Sequence, residues 1–118
     1  MVIIIFFIIQ WYTSIFSQTF LQHRYAAHRS FKMNKFWERF FYVFAFIAQG
    51  ATYMSPRAYA LMHRMHHAYA DTPKDPHSPS NHKNLFAMME NTRKMYTACY
   101  WENIEIEPRF KKDVPDWP

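Results

Sequence analysis

Cysteine and glycine are the scarcest residues of this 118-residue chain, which has one of each. A single thiol, Cys99, excludes an internal disulfide and any cysteine-rich zinc or iron–sulfur site. A metal bound by this chain would therefore need histidine or carboxylate ligands, and a reducing location fits the composition. The length allows one small domain with a modest core but not two.

Charge is absent from the first 21 residues, MVIIIFFIIQWYTSIFSQTFL. As a helix, this segment would measure about 30 Å, which is enough to cross the hydrocarbon core of a bilayer. No positive charge precedes the apolar run and no small-residue cleavage site follows it, so we reject a secretory signal peptide. We predict a transmembrane helix over residues 1–22, whose polar second half packs against other helices or lines a cavity.

Acidic residues are fewer than basic ones, 9 against 14, and the net charge is +5. We do not predict nucleic-acid binding, because the basic residues flank apolar runs instead of forming an arginine-rich stripe. Five of them follow the first apolar segment: Arg24, Arg29, Lys32, Lys35 and Arg39. The positive-inside tendency places this end of the segment in the cytoplasm.

The second apolar stretch, residues 36–55, has an apolar part too short to cross a bilayer readily. Its uninterrupted apolar part is FFYVFAFIA, and Glu38 and Arg39 intrude near its start. We predict an interfacial or re-entrant helix here.

The remainder of the chain reads as a helix, a loop and a second helix. Residues 57–69 follow Pro56 as a helix, and 72–79 form a proline-rich loop. Residues 81–100 have a helical pattern, and 105–118 form a polar tail. The buried stripe expected on the later helix is Leu85, Met88, Met89, Met95 and Tyr96. The predicted fold class is an all-α membrane protein with one spanning helix, one interfacial or re-entrant helix and a cytosolic helical cap.

Five of the seven histidines lie in two groups, HRYAAH with His23 and His28, and HRMHH with His63, His66 and His67. At about 100° per residue, His63 and His67 stack on one helical face and His66 projects about 60° to the side. His23 and His28 diverge by about 140° if their segment stays helical. Splayed imidazoles suit two metal ions better than one, and ligand type alone leaves the metal open. The alternative for either group alone is a chance surface cluster or a set of hydrogen-bonded helix histidines.

Shared binding by both groups requires that they lie on one side of the membrane, so residues 36–55 must return or lie flat. Asp71 and Asp75 are candidates to accept a hydrogen bond from a ligand's other ring N–H and to fix its tautomer. His77, in the sequence Asp-Pro-His, is a further candidate for this supporting role. The alternative for the two acids is ordinary turn chemistry.

The order HRYAAH, then HRMHH some 35 residues later, then DPH resembles the first two histidine boxes of the integral-membrane fatty acid desaturases. The form resembles that of Δ9 acyl desaturases, and the resemblance covers roughly residues 10–80. It implies an all-helical membrane enzyme whose histidine-rich di-iron centre activates O₂ and removes two hydrogens from an acyl chain. The metal ligands that it implies are His23, His28, His63, His66 and His67.

The resemblance also implies cofactors and partners. These are two iron ions, O₂ as co-substrate, membrane lipid, and an external electron donor of the ferredoxin or cytochrome b5 type. The substrate would be a fatty acyl group on CoA, on acyl carrier protein or in a lipid. Candidates to bind its anionic head group are Arg24, Arg29, Lys32 and Arg57. The alternative for these residues is membrane flanking under the positive-inside tendency. We expect an integral protein of a bacterial inner membrane, with the metal site on the cytoplasmic face.

The family carries a third HxxHH box, and His77 and His82 match neither its spacing nor its pattern. We therefore expect the N-terminal part of a longer desaturase, inactive by itself because metal affinity and folding are coupled. Tyr59 stands where acyl-CoA members carry tryptophan, which leaves the acyl carrier open. Two alternatives remain: a histidine-box hydroxylase of sterols, sphingoid lipids or alkanes, and a non-catalytic membrane-anchored metal binder.

Overall fold

The structure is a computed structural model that describes residues 1–115. Five α-helices occur in this range: α1 (Val2–Ser17), α2 (Lys35–Gln49), α3 (Pro56–Tyr69), α4 (Leu85–Tyr100) and α5 (Pro108–Lys111). The same range contains no strand, so the predicted all-α fold class is confirmed. Residues 116–118 of the predicted tail lie outside the described residues.

Helix α1 continues without interruption into a π-helix, Gln18–Ala27. The combined helix Val2–Ala27 is long and apolar enough to cross a membrane, and no other helix within residues 1–115 has this property. Nearly every side chain of α1 is exposed, and Ser17 is its one buried residue. This long apolar helix at the N-terminus agrees with the predicted one, although its extent in a bilayer stays a prediction.

Helix α2 is a single amphipathic helix without a reversal in its course. The Asn34 side chain caps it by accepting a hydrogen bond from the Trp37 amide at 3.0 Å. It ends at Gly50, the chain's one glycine, which has a φ of 52° in the left-handed region. Its inner face buries Tyr42 and Ala45 against the first helix. Large apolar side chains on its outer face stay exposed, including Phe36, Phe40, Val43 and Ile47.

A network of buried amides joins the end of α2 to the first helix. Gln22 and Gln49 donate to each other's side-chain oxygen at 3.1 Å, and Gln49 also donates to the Ser17 hydroxyl at 3.1 Å. The Met54 amide donates to the Gln49 oxygen at 3.3 Å. Both glutamines are buried, and buried amides persist only when hydrogen-bonded. The network therefore fixes where the chain turns between α2 and α3.

Helix α3 begins at Pro56 after a Ser55 cap, and its apolar side packs on α4 and on the tail. The shared core contains Leu61, Met62 and Cys99, together with Phe110 of α5. On its other side α3 contacts the π-helix through small residues: Ala26, Ala27 and Ala60 form one buried cluster. Small side chains allow the two helices to approach closely, which brings the two histidine boxes together.

The expected stripe on α4 is confirmed for Met95 and Tyr96, which pack against this core. It is wrong for Leu85 and Met89, which are 62% and 56% exposed. The reason is that α4 packs on the core of α3 through its C-terminal part, whereas the first turns of α4 extend beyond that core. The helix also begins later than predicted, at Leu85, because a 3₁₀ turn occupies Pro79–Asn81 and precedes the Asn84 cap.

Replacement of Gln49 by leucine is expected to lower the free energy of unfolding by about 1–3 kcal/mol, because the Gln22 amide and the Met54 N–H lose their partner in a buried site. The same substitution at exposed Gln18 is the control and is expected to change stability by less than about 0.5 kcal/mol. Unfolding in detergent, followed by circular dichroism, measures both. Equal stability of the two variants would contradict the role given to the network.

Candidate metal centre

The π-helix determines where the histidines of the first box lie. Its hydrogen bonds join residues five apart, and the His28 amide donates to the His23 carbonyl at 3.0 Å. Five residues then fill about one turn, so His23 and His28 lie on the same face with ring centroids 4.5 Å apart. The predicted divergence of about 140° is wrong, because it assumed α-helical geometry throughout.

The second box presents two histidines to the first from α3. His63 and His67 lie one turn apart on one face, as predicted, and their Nε2 atoms are 2.9 Å apart. The His28 Nε2 lies 3.1 Å from that of His63 and 3.2 Å from that of His23. Ring nitrogens of all four residues lie within 4.8 Å of one another. We call His23, His28, His63 and His67 the four-histidine cluster.

His66 projects to the side of α3, as predicted, and lies outside the four-histidine cluster. Its ring centroid is 6.4 Å from that of His63. Its Nδ1 lies 2.8 Å from a carboxylate oxygen of Asp75. When Nδ1 donates its proton to that carboxylate, Nε2 keeps its lone pair, which is the usual arrangement of a histidine that binds metal. The five predicted ligands therefore divide into four that converge and one that is oriented separately.

Asp75 is the acidic residue that reaches a histidine. Its buried carboxylate also accepts from the backbone N–H groups of Asp71, at 3.0 Å, and His77, at 2.9 Å. Burial alone would raise the pKa of this carboxyl, but the hydrogen bonds from His66 and the two amides outweigh it and hold the pKa below its ordinary value. Asp75 is therefore ionised at neutral pH and able to orient His66.

The other two predicted supporting residues take different positions. The carboxylate of Asp71 accepts from the Ser78 hydroxyl at 3.1 Å instead of reaching a histidine. The Nδ1 of His77 lies 2.8 Å from the Thr92 hydroxyl of α4, and its ring centroid is 5.8 Å from that of His66. His77 therefore links α4 to the surroundings of His66, and Asp71 stabilises the loop.

Electrostatics favour the neutral form of His63 and His28, two members of the four-histidine cluster. Burial and then the neighbouring histidines lower the pKa of His63 from 6.5 to about 4. Burial, followed by His23, His67 and Arg64, also lowers the pKa of His28. A neutral imidazole keeps the lone pair that a metal ion requires.

Three contacts within the cluster have the spacing expected of ligands around one metal ion. Ligand nitrogens at about 2.0–2.1 Å from a tetrahedral ion lie about 3.3 Å from each other, close to the three Nε2 distances of 2.9 to 3.2 Å. The Nε2 of a neutral imidazole either donates or accepts one hydrogen bond. The four Nε2 atoms of the cluster make three successive contacts, so the two inner atoms would each need two hydrogen bonds. No placement of protons on neutral imidazoles satisfies all three contacts, whereas a metal ion would accept the lone pairs of all four nitrogens. Imidazole ligands suit iron, copper, nickel and zinc.

A cavity of about 240 Å³ adjoins the cluster between α3 and α4. Its lining residues include Met54, Tyr59, Met62, His63 and Thr92. A second cavity of about 360 Å³ is lined in part by the same residues, Met54, Met62 and Thr92, and leads along α4. The first cavity therefore adjoins His63 of the four-histidine cluster and shares lining residues with the second.

Three further residues of this site were not among the predicted site residues. The Tyr59 ring stacks on the His63 ring, with centroids 5.3 Å apart and an interplanar angle of 13°. Thr92 binds His77 from a helix distant in sequence. Arg64, inside HRMHH, donates to backbone carbonyls of the π-helix, Ala26 and Ala27. Only the position of Arg64 between two candidate ligands marked it in the sequence.

The basic head-group candidates do not form one patch with a common partner. Arg24 and Lys32 are exposed beside the first box, and the Arg29 guanidinium lies 5.1 Å from the centroid of the Tyr25 ring. Arg57, near the start of α3, makes an ion pair with Glu102 at 2.7 Å. Their binding of a head group stays a prediction.

Comparison with known proteins agrees with this geometry. A sequence model of the family described as "Fatty acid desaturase" matches residues 1–114. The chain belongs to the fatty acid desaturase family. The family is membrane-associated, in agreement with the long apolar helix.

Several curated plant proteins are similar to the chain. It is 44% identical over 63 residues to "Delta-9 desaturase-like 5 protein" of Arabidopsis thaliana. The matched region covers 53% of this chain and 20% of that protein. It is 43% identical over 65 residues to "Acyl-CoA C20 Delta5-desaturase" of Anemone leveillei, covering 55% and 20%. It is 43% identical over 58 residues to "Delta-9 acyl-lipid desaturase 1" of Arabidopsis thaliana, covering 49% and 18%.

The matched region therefore spans about a fifth of the length of these relatives. No solved structure matches the chain significantly. Because the relatives are plant proteins, they give no support to the expected bacterial inner membrane.

Acidification is expected to destabilise the metal-free chain. Because the pKa of His63 is lowered from 6.5 to about 4 on folding, the unfolded chain binds more protons between these pH values. The stability is therefore complete above pH 6.5 and is lost as the pH falls towards 4. In His63→Asn this pH dependence should be weaker, whereas His82→Asn, a histidine outside the cluster, should keep it. Unfolding temperatures measured with a chelator at several pH values check this, and an identical slope in His63→Asn would contradict it.

Proposed function

We propose that this chain forms part of an O₂-dependent fatty acyl desaturase of the Δ9 type, which introduces a cis double bond into an acyl chain. The observation that carries the proposal is the convergence of four histidine nitrogens from two boxes some 35 residues apart, beside an apolar cavity. Membership of the fatty acid desaturase family supports the same chemistry.

The proposed cofactor is a pair of iron ions. Bound iron supplies the oxidising power needed to remove hydrogen from an unactivated methylene, which amino-acid side chains lack. The four-histidine cluster would hold one ion. His66, oriented by Asp75, is assigned to the second ion, and further ligands for that ion are expected from the third histidine box of the family. Neutral imidazoles hold the ions without cancelling their charge.

The chain's own residues would position the substrate and exclude water. Met54 and Met62 offer flexible apolar surface to methylene groups in the cavity beside His63. Tyr59, stacked on His63, limits the movement of that imidazole and closes one side of the cavity. A dry cavity protects a reactive site from side reactions.

The substrate is a fatty acyl group, and the names of the relatives support either CoA or a lipid as its carrier, since both "acyl-CoA" and "acyl-lipid" desaturases occur among them. Acyl carrier protein is the third proposed carrier. Arg24, Arg29 and Lys32, beside the first box, are the proposed contacts for an anionic head group. A ferredoxin or cytochrome b5 would supply electrons.

The proposed location is a membrane, with the metal centre on its cytoplasmic face. Residues 1–22, within the helix that extends to Ala27, would cross the bilayer. The first box follows directly, where Arg24, Arg29 and Lys32 agree with the positive-inside tendency. Helix α2 would lie in the interface, with its exposed outer face, Phe36, Phe40, Val43 and Ile47, towards lipid. Both histidine boxes then share one side.

Replacement of His63 by alanine, in the longest natural chain that contains this sequence, is expected to abolish unsaturation, because His63 contacts both His28 and His67 in the cluster. His82→Ala, the matched control, should keep the activity. Gas chromatography of fatty acids from expressing cells measures the products. Preserved unsaturation in His63→Ala would refute the ligand assignment, and an alcohol in place of an alkene would identify a histidine-box hydroxylase.

Replacement of Asp75 by asparagine is expected to weaken iron binding by about 10–100-fold, because the carboxylate that orients His66 is lost. Glu105→Gln, at an exposed acid of the tail, is the control. Iron content after dialysis against graded chelator concentrations measures the change. Equal iron retention in the two variants would show that Asp75 does not support a ligand.

A further inference from the structure

Arg64 makes an unusual set of contacts for a half-buried arginine. Its Nε donates to the Ala27 carbonyl at 2.8 Å and its Nη2 to the Ala26 carbonyl at 3.2 Å. Its Nη1 donates to two carbonyls of the tail, Phe110 at 3.0 Å and Lys112 at 2.6 Å. One guanidinium thus joins α3, the end of the π-helix and the segment around α5.

These contacts lie next to candidate metal ligands in the sequence. Ala27 directly precedes His28, and Arg64 directly follows His63. The Nε2 atoms of His28 and His63 lie 3.1 Å apart. The backbone segments next to these two histidines are joined by the Arg64 guanidinium, which donates to the Ala27 carbonyl. A shift of the Ala26–Ala27 peptide would move the His28 imidazole with it.

Physical chemistry explains why an arginine suits this position. The last carbonyls of a helix have no partner within it and carry partial negative charge, which a cation stabilises. Arginine offers five donors in a rigid planar fork, so it can serve carbonyls of two segments at once. A lysine ammonium on a flexible stem carries the same charge but cannot reproduce this geometry.

We propose that Arg64 is a positioning residue of the metal centre, which holds the end of the π-helix against α3 so that His23 and His28 face His63 and His67 before metal binds. This inference rests on the proposed metal-binding function. It assigns Arg64 no contact with the metal or the substrate.

The test compares Arg64→Lys with Arg57→Lys in the longest natural chain that contains this sequence. Both substitutions keep the charge, and Arg57 lies on the same helix but pairs with Glu102 on the outside. Each purified protein, freed of metal, is titrated with Co²⁺, whose visible absorption bands report ligand geometry. Arg64→Lys is expected to bind the first Co²⁺ about 10–100-fold more weakly, with an altered spectrum, since loss of an outer contact misplaces a ligand. Arg57→Lys should match the unchanged protein in both respects.

The outcomes separate this proposal from the proposed function. An Arg64→Lys variant with lower thermal stability but unchanged affinity and spectrum would overturn the positioning role and leave a purely structural one. If the unchanged protein binds no Co²⁺, the proposed function fails first and this inference fails with it. If the unchanged protein binds Co²⁺ and Arg64→Lys binds it identically, only the inference on Arg64 fails.

Hydrogen exchange tests the same proposal without a variant, should Arg64→Lys not fold. In the unchanged protein without metal, amides of residues 24–28 are expected to be protected, because Arg64 already fixes this turn. Free exchange of these amides until metal is added would overturn the proposal, since the metal and not Arg64 would then order the segment.

Discussion

The candidate metal centre depends on the hydrogen-bond register of residues 18–27. Bonds between residues five apart place His23 and His28 on one face, where bonds between residues four apart would separate them. π-Helical segments are rare because their geometry is less favourable, and they are frequent at functional sites. Here the less favourable register gains its support from outside: small residues pack it on α3, and Arg64 takes two of its terminal carbonyls. The fold and the site therefore cannot be separated at this point.

The same region shows how buried polar groups are used to fix a geometry. The amides of Gln22 and Gln49 hold the end of α2 against the first helix, and the Asp75 carboxylate gathers His66 and two backbone amides in the loop after α3. Each group is buried and each is satisfied, so a displaced partner would leave an uncompensated polar atom. This penalty makes the positions of the imidazoles more specific than apolar packing alone would, since apolar contacts tolerate small shifts.

Much of the fold was predictable from local patterns. The uncharged run from Met1 predicted the long first helix, and Pro56 with the pattern after it predicted α3 almost to the residue. The buried face of α4 was less predictable, because apolar residues such as Leu85 and Met89 occur at helical spacing whether or not another element covers them. Helical periodicity reports a possible contact surface, and only packing decides which part of it is used.

For the site, the sequence by itself determined the donor chemistry: five imidazoles in two boxes, no usable thiolate, and aspartates nearby. The α-helical spacing of His63 and His67 followed from the chain's local geometry. Tertiary structure decided which histidines converge, because the meeting of the two boxes and the contacts of Arg64 join residues that are distant along the chain, and because neither the π-helical register nor the Asp75 bond to His66 follows from α-helical spacing. Such contacts depend on how segments pack, and local sequence spacing contains no information on the relative placement of two helices.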